Sequence, residues 1–162
     1  MIEAPASLLQ VPMWRELVDQ AREVAQHAYN PYSGHLVGAA MRTRSGRVFR
    51  GTFLENASYG LTVCAEVVAV ANANSNGCRD LHAIAIVGGD PSRSDGEPCT
   101  PCGRCRQVIS EVGSVHGLNP LVLCSNLSIS RLWLTTASEL LPSAWGLPAP
   151  VLQPSSRESE SL

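Results

Sequence analysis

The chain has 162 residues, 44% of them hydrophobic and 16% charged, enough for one domain with a substantial core and too few for two. A net charge of -2, a pI near 6.1 and only three Trp, three Tyr and two Phe offer neither a basic field for phosphates nor stacking platforms for bases, so no nucleic acid partner is expected. The opening Met1-Ile2-Glu3-Ala4-Pro5 has no basic secretory n-region and no apolar run approaches about 18 residues, so no membrane partner is expected and the location is read as cytoplasmic.

Residues 1–12 carry no periodicity and read as a flexible N-terminus, followed by one domain over 13–150 and a disordered tail over 151–162. From Pro12, the apolar residues Trp14, Leu17, Val18, Ala21, Val24, Ala25 and Ala28 recur every three or four positions and predict an amphipathic helix that ends before Pro31. Leu36–Met41 and Arg47–Phe53 read as strands joined by a tight turn at Arg44-Ser45-Gly46. A loop over Glu55–Leu61 leads to a helix over Thr62–Asn74, with Thr62 as its N-cap and valines on most sides, which requires burial all round.

Leu81–Val87 has the continuous apolar run of a central strand, and the turn-rich Gly88–Pro101 reads as a flexible surface loop. A second buried helix is expected over Cys102–Val112, two strands over Leu121–Ser125 and Ile129–Thr135, and a short helix over Ala137–Leu141 ended by Pro142. This order gives an α/β fold with three α/β/α layers and a mixed five-stranded sheet.

The chemistry concentrates at Cys64-Ala65-Glu66 and Pro101-Cys102-Gly103-Arg104-Cys105. Cys64, Cys102 and Cys105 suit a Zn²⁺ site with an open fourth position, and Glu66, two residues from a ligand, can move protons. Both groups fall at predicted helix starts, where the helix dipole favours thiolates. Zinc there lowers the pKa of a water toward 7 and readies it for attack on an aminated ring carbon. The spacing is that of the zinc deaminases, with cysteine in the first position. Cys99 leaves a second reading open: with Cys64, Cys102 and Cys105 it closes a structural Cys₄ zinc site or, less readily, holds an iron–sulfur cluster.

Beyond these motifs, Pro31-Tyr32-Ser33, Val37-Gly38-Ala39-Ala40, Glu55-Asn56-Ala57-Ser58-Tyr59-Gly60, Cys102-Gly103-Arg104-Cys105-Arg106-Gln107 and Glu139-Leu140-Leu141-Pro142-Ser143 resemble the small, homotetrameric cytidine deaminases, from about Trp14 to Gly146. The resemblance implies a nucleoside substrate, a homotetramer with active sites at subunit interfaces, and zinc as cofactor. It makes Glu66 the proton carrier, gives the pyrimidine carbonyl to the Ala65 amide and the leaving ammonia to the Thr100 carbonyl. It assigns a sugar hydroxyl to Glu55, a neighbour's pocket to Tyr59, and supporting roles to Arg106 and Gln107. Two positions depart from the family pattern: His35 stands where Phe is usual in the base pocket, and Phe53 where Asn contacts the sugar. Val67 replaces an arginine common after the glutamate, which points to Arg104 or Arg106 as the countercharge to three thiolates. Deaminases of nucleoside antibiotics of the blasticidin type share several of these features and form the alternative; a zinc-stabilised module without catalysis is the third reading.

Overall fold

The computed structural model describes residues 1–146. In chain order the elements are β1 (Ile2–Ala4), α1 (Pro12–Ala25), β2 (Leu36–Thr43), β3 (Val48–Thr52), α2 (Ala65–Ser75), β4 (Leu81–Gly89), α3 (Gly103–Ser114), β5 (Leu121–Ser125), β6 (Leu132–Thr136) and α4 (Ala137–Leu140). They form one sheet in the order β1-β6-β5-β4-β2-β3, antiparallel except for the β4–β5 pair. A parallel neighbour needs a crossover, and α3 supplies it.

Central strand β4 divides the core by alternation: Ile84 and Ile86 face one side, Ala83, Ala85 and Val87 the other. The first side packs on α2, α3 and α4 through Ala65, Ala69, Ala73, Ile109 and Leu140. The second packs on α1 through Trp14, Leu17, Val18 and Ala21. The expected α/β/α layering follows.

The sheet has six strands, one more than expected. Ile2–Ala4 pairs antiparallel with Leu132–Leu134, and Ala6–Gln10 forms a 3₁₀ turn. Three residues are too few to show a period, so this strand is specified by its partner and not by its own pattern. The expected start of β6 at Ile129 also shifts. Ile129 has φ +59°, because buried Asn126 accepts the Ser130 N–H at 3.0 Å and closes a turn there. The Nδ2 of Asn126 donates to the Gly96 carbonyl at 2.9 Å, and Cys99 N–H donates to the Ser125 carbonyl at 3.2 Å. The turn-rich segment before Cys102 is thus pinned to the end of β5. The tail expected at 151–162, and residues 147–150 of the expected domain, lie outside the described residues.

Candidate metal centre and active site

Two helix starts build the site. Cys64 is the N-cap of α2 and Cys102 the N-cap of α3, and neither thiol caps its own helix. Thr62, expected as the cap of α2, is engaged elsewhere: its Oγ1 accepts the Asn56 N–H at 3.0 Å and donates to the Asn56 carbonyl at 3.3 Å. A bridge between Leu54 and Val63 keeps the chain out of the helix until Cys64.

The Sγ atoms of Cys64 and Cys102 lie 3.7 Å apart and those of Cys102 and Cys105 3.6 Å apart; all three fall within 4.8 Å of one another. Sulfurs around a tetrahedral zinc with bonds of about 2.3 Å are separated by about 3.8 Å. The cluster therefore fits zinc. Its protons agree: hydrogen bonding from Cys105 brings the Cys64 thiol down to about 5 despite burial, while the same bond, together with burial, pushes Cys105 up. Cys64 forms a thiolate readily there, and Cys105 needs a cation to do so.

Cys99 is not in this group of metal-capable atoms among the described residues. Burial, with the nearby charges of Glu66, Cys64 and Cys102, pushes its thiol up to about 12, and it packs against the α2-side core. The closed Cys₄ site lacks its fourth sulfur.

Glu66 is the second residue of α2 and only 4% exposed. Burial raises its carboxyl to about 6, the neighbouring Cys64 charge pushes the same way, and its own backbone N–H opposes them. A carboxyl near its midpoint can both accept and return a proton. Ala65, the first residue of α2 and fully buried, has one of the amides that a helix start leaves without an intrahelical partner. Thr100 is half-buried in extended chain between Cys99 and Cys102.

The rim comes from the segments 29–35 and 53–62, which are tied together. Tyr29 N–H donates to the Phe53 carbonyl at 3.0 Å, and Glu55 N–H to the Tyr29 carbonyl at 2.7 Å. The Oε2 of Glu55 accepts the amides of Tyr32 at 2.8 Å and Ser33 at 3.1 Å; against some desolvation, these bonds and His35 hold its carboxyl below the usual range. His35 is exposed. Phe53 is half-buried and in neither core cluster. Its N–H continues the β3 ladder to Val37 at 3.0 Å, so alternation from Phe49 and Gly51 aims it at the α2 face. Tyr59 is 87% exposed.

Arginines in the α3 motif have separate tasks. Arg104 Nη2 donates to the Thr62 carbonyl at 2.8 Å. Arg106 donates to the carbonyls of Pro101 at 2.9 Å and Leu140 at 3.4 Å. Gln107 Nε2 donates to the Trp145 carbonyl at 2.9 Å, away from the sulfurs. Sequence spacing gave no sign of the Arg104–Thr62 or Thr62–Asn56 links, because they join residues far apart in the chain or inside a loop.

Residues 13–117, which contain all three cysteines and Glu66, match the cytidine and deoxycytidylate deaminase zinc-binding region. The chain belongs to this family. A cytidine deaminase of Halalkalibacterium halodurans is 44% identical over 129 residues, covering 80% of this chain and 91% of that protein. The blasticidin-S deaminase of Bacillus cereus is 36% identical over 130 residues, 78% of this chain and 88% of that protein. The crystal structure of cytidine deaminase from Burkholderia pseudomallei superposes with a TM-score of 0.72 at 40% identity, covering 81% of this chain and 98% of that one. The deaminase fold agrees with these relatives, the metal expected from the cysteine spacing agrees with the zinc-binding region of the family, and the three thiols form a cluster that could hold it.

Proposed function

We propose that this zinc deaminase hydrolyses cytidine and deoxycytidine to uridine and deoxyuridine with release of ammonia, in pyrimidine salvage. The observation that carries the reading is the buried Glu66 beside three thiols at zinc spacing, in a chain 44% identical to a cytidine deaminase. Zinc on Cys64, Cys102 and Cys105 supplies the Lewis acidity that brings a water within reach of deprotonation near pH 7.

Glu66 accepts the proton of that water as its oxygen bonds to C4 of the pyrimidine, and hands the proton to N3. It then moves the remaining hydroxyl proton to the amino nitrogen, the C4–N bond breaks, and ammonia leaves with the C4 carbonyl formed. The amide of Ala65 holds the pyrimidine carbonyl, and the Thr100 carbonyl receives the ammonia. Glu55, fixed by the Tyr32 and Ser33 amides through one oxygen, keeps the other for a sugar hydroxyl. His35 and Phe53 border the base and sugar, and Gln107 and Arg106 hold the C-terminal segment against α3. The working unit is a cytoplasmic homotetramer in which Tyr59 reaches a neighbour's site; no helix among the described residues is long and apolar enough to cross a membrane.

Ammonia release from cytidine, deoxycytidine, cytosine and blasticidin S, measured on the parent and on Glu66→Gln, tests this. The parent should turn over both nucleosides, and Glu66→Gln should stay folded with about one zinc per chain while losing about 10²-fold or more in rate. Turnover of blasticidin S alone would move the substrate to the antibiotic class. A Glu66→Gln rate within about threefold of the parent would remove Glu66 from its role, and silence on all four compounds would favour the module without catalysis.

A further inference from the structure

We propose that the cavity between the second halves of α2 and α3 is a further ligand site, separate from the metal centre, that takes a small monocarboxylate with an aromatic or short aliphatic body. Val70 of α2 and Val112 of α3 line it, with Val115 beside them and buried Met41 of β2 beneath. Cys64 and Cys102 lie at the other ends of these helices. The cavity measures about 180 Å³, and an apolar cavity of about 150 Å³ already takes benzene. A single ring therefore fits between the valines.

Polar groups gather at one side of this apolar space. Arg79 and Glu111 stand there, both exposed, with half-buried His116. Arg79 Nε donates to Asn74 Oδ1 at 2.7 Å, which sets the guanidinium at the mouth and leaves four N–H donors for the two oxygens of a carboxylate. Cys78, also in the wall, accepts a hydrogen bond from Arg47 Nη1 at 2.9 Å and so draws a second guanidinium to the same place. Among the described residues Arg15, Arg42, Arg50 and Arg131 pair with carboxylates, whereas Arg47 and Arg79 form no ion pair. Asp80, next in the chain, accepts the Arg44 N–H at 3.1 Å instead.

Two cations against Glu111 leave the mouth positive on a chain whose net charge is -2, so the complement of the mouth is an anion while the complement of the walls is a hydrocarbon. One surplus positive charge and one forked donor suit a carboxylate; a phosphate monoester brings nearly two negative charges and outnumbers it. Val70, Val112 and Val115 are only half-buried, and an occupant gains affinity by taking their remaining surface out of water.

Phenylacetate, 2-phenylethanol and acetate, titrated into the zinc-loaded full chain, separate ring from charge, with the methyl resonances of Met41, Val70, Val112 and Val115 showing where each binds. Phenylacetate should shift these methyls with a Kd below about 1 mM. The uncharged 2-phenylethanol should shift the same methyls about 10-fold more weakly, because it lacks the bond to the guanidinium, and acetate should shift none. Arg79→Gln should bring phenylacetate down to the level of 2-phenylethanol and leave the alcohol unchanged. Val112→Phe, which fills the cavity from one wall, should abolish binding of both ring compounds while the rest of the spectrum is retained; Val70→Phe fills it from the other wall and should do the same, so the test survives if one variant fails to fold. Methyls unmoved by phenylacetate at about 10 mM, as when a second copy of the chain covers this face, overturn the site. Binding that persists in the folded valine variants places the ligand elsewhere and overturns it too. Equal affinities for phenylacetate and 2-phenylethanol, or no loss in Arg79→Gln, overturn the choice of a carboxylate.

Discussion

On the proposed reading, Phe53 sets how firmly the sugar is held. It stands half-buried at the end of β3, outside both cores, on the face that β3 turns toward the start of α2. In that place an apolar ring leaves a sugar hydroxyl to Glu55 alone, and a buried hydroxyl without a partner costs about 1–3 kcal/mol, or roughly 5- to 150-fold. Phe53→Asn should therefore raise kcat/KM for cytidine within that range, chiefly through a lower KM. Because no core packing is lost, the thermal midpoint should hold to within about 2 °C. A less stable protein with no kinetic gain would show that the ring is structural. At this scale the reactive residues were legible, because Cys64 with Glu66 and Cys102 with Cys105 sit at spacings that a single helical turn preserves. Glu55's grip on Tyr32 and Ser33 and Arg104's reach to Thr62 were not, since neither partner lies within a turn of the other.

Helix α2 shows what an element needs in order to place a reactive group. Its buried stripe is alanine, at Ala65, Ala69 and Ala73, while Val67, Val68 and Val70 are only half-buried, so the burial on all sides read from the valines does not hold for the single chain. Alanines are required because Gly51 brings β3 against the helix backbone: a Cβ there would lie 2.2 Å from the Ala69 nitrogen and 2.3 Å from the Ala65 oxygen. Neither contact can be relieved by a flexible side chain. Gly51→Ala should push α2 off the sheet at the very residue between Cys64 and Glu66, costing about 1–3 kcal/mol or more and lowering the midpoint by about 2–4 °C for each kcal/mol. Zinc content should fall below one per chain. Gly60→Ala, which meets open space, should leave both unchanged; equal effects of the two substitutions would mean that the close approach is not what seats the helix. The long amphipathic α1 could be read from its period and the apolar β4 from its continuous run, but β1 and the shifted start of β6 could not. Both depend on partners distant in the chain: β1 on Leu132–Leu134, and the turn before β6 on the Asn126 side chain.

At the scale of the whole molecule, the single chain leaves a large apolar surface around its reactive end. Tyr29 (58% exposed), Tyr32 (63%), Leu54 (49%), Tyr59 (87%) and Leu61 (65%) all belong to the two segments that the Tyr29–Leu54 and Leu54–Val63 bridges hold together. Scattered exposed hydrophobics need no explanation, but a contiguous group beside a functional site marks a surface that something covers. We propose a second copy of this chain as the occupant, because it would also serve the chemistry by shielding the metal centre from bulk water and completing a rim that Glu55 and Tyr59 leave open. On this argument the proposed homotetramer should persist at micromolar concentration in sedimentation equilibrium. Tyr59→Ala, which removes the most exposed ring without touching either core, should weaken assembly and raise KM for cytidine about 10-fold or more, as loss of an aromatic hot spot at an interface costs about 2 kcal/mol or more. Parent and mutant should retain equal zinc when assembled, which separates lost contacts from a lost metal site. A parent that sediments as a monomer at full activity would show instead that the aromatic rim serves the substrate alone.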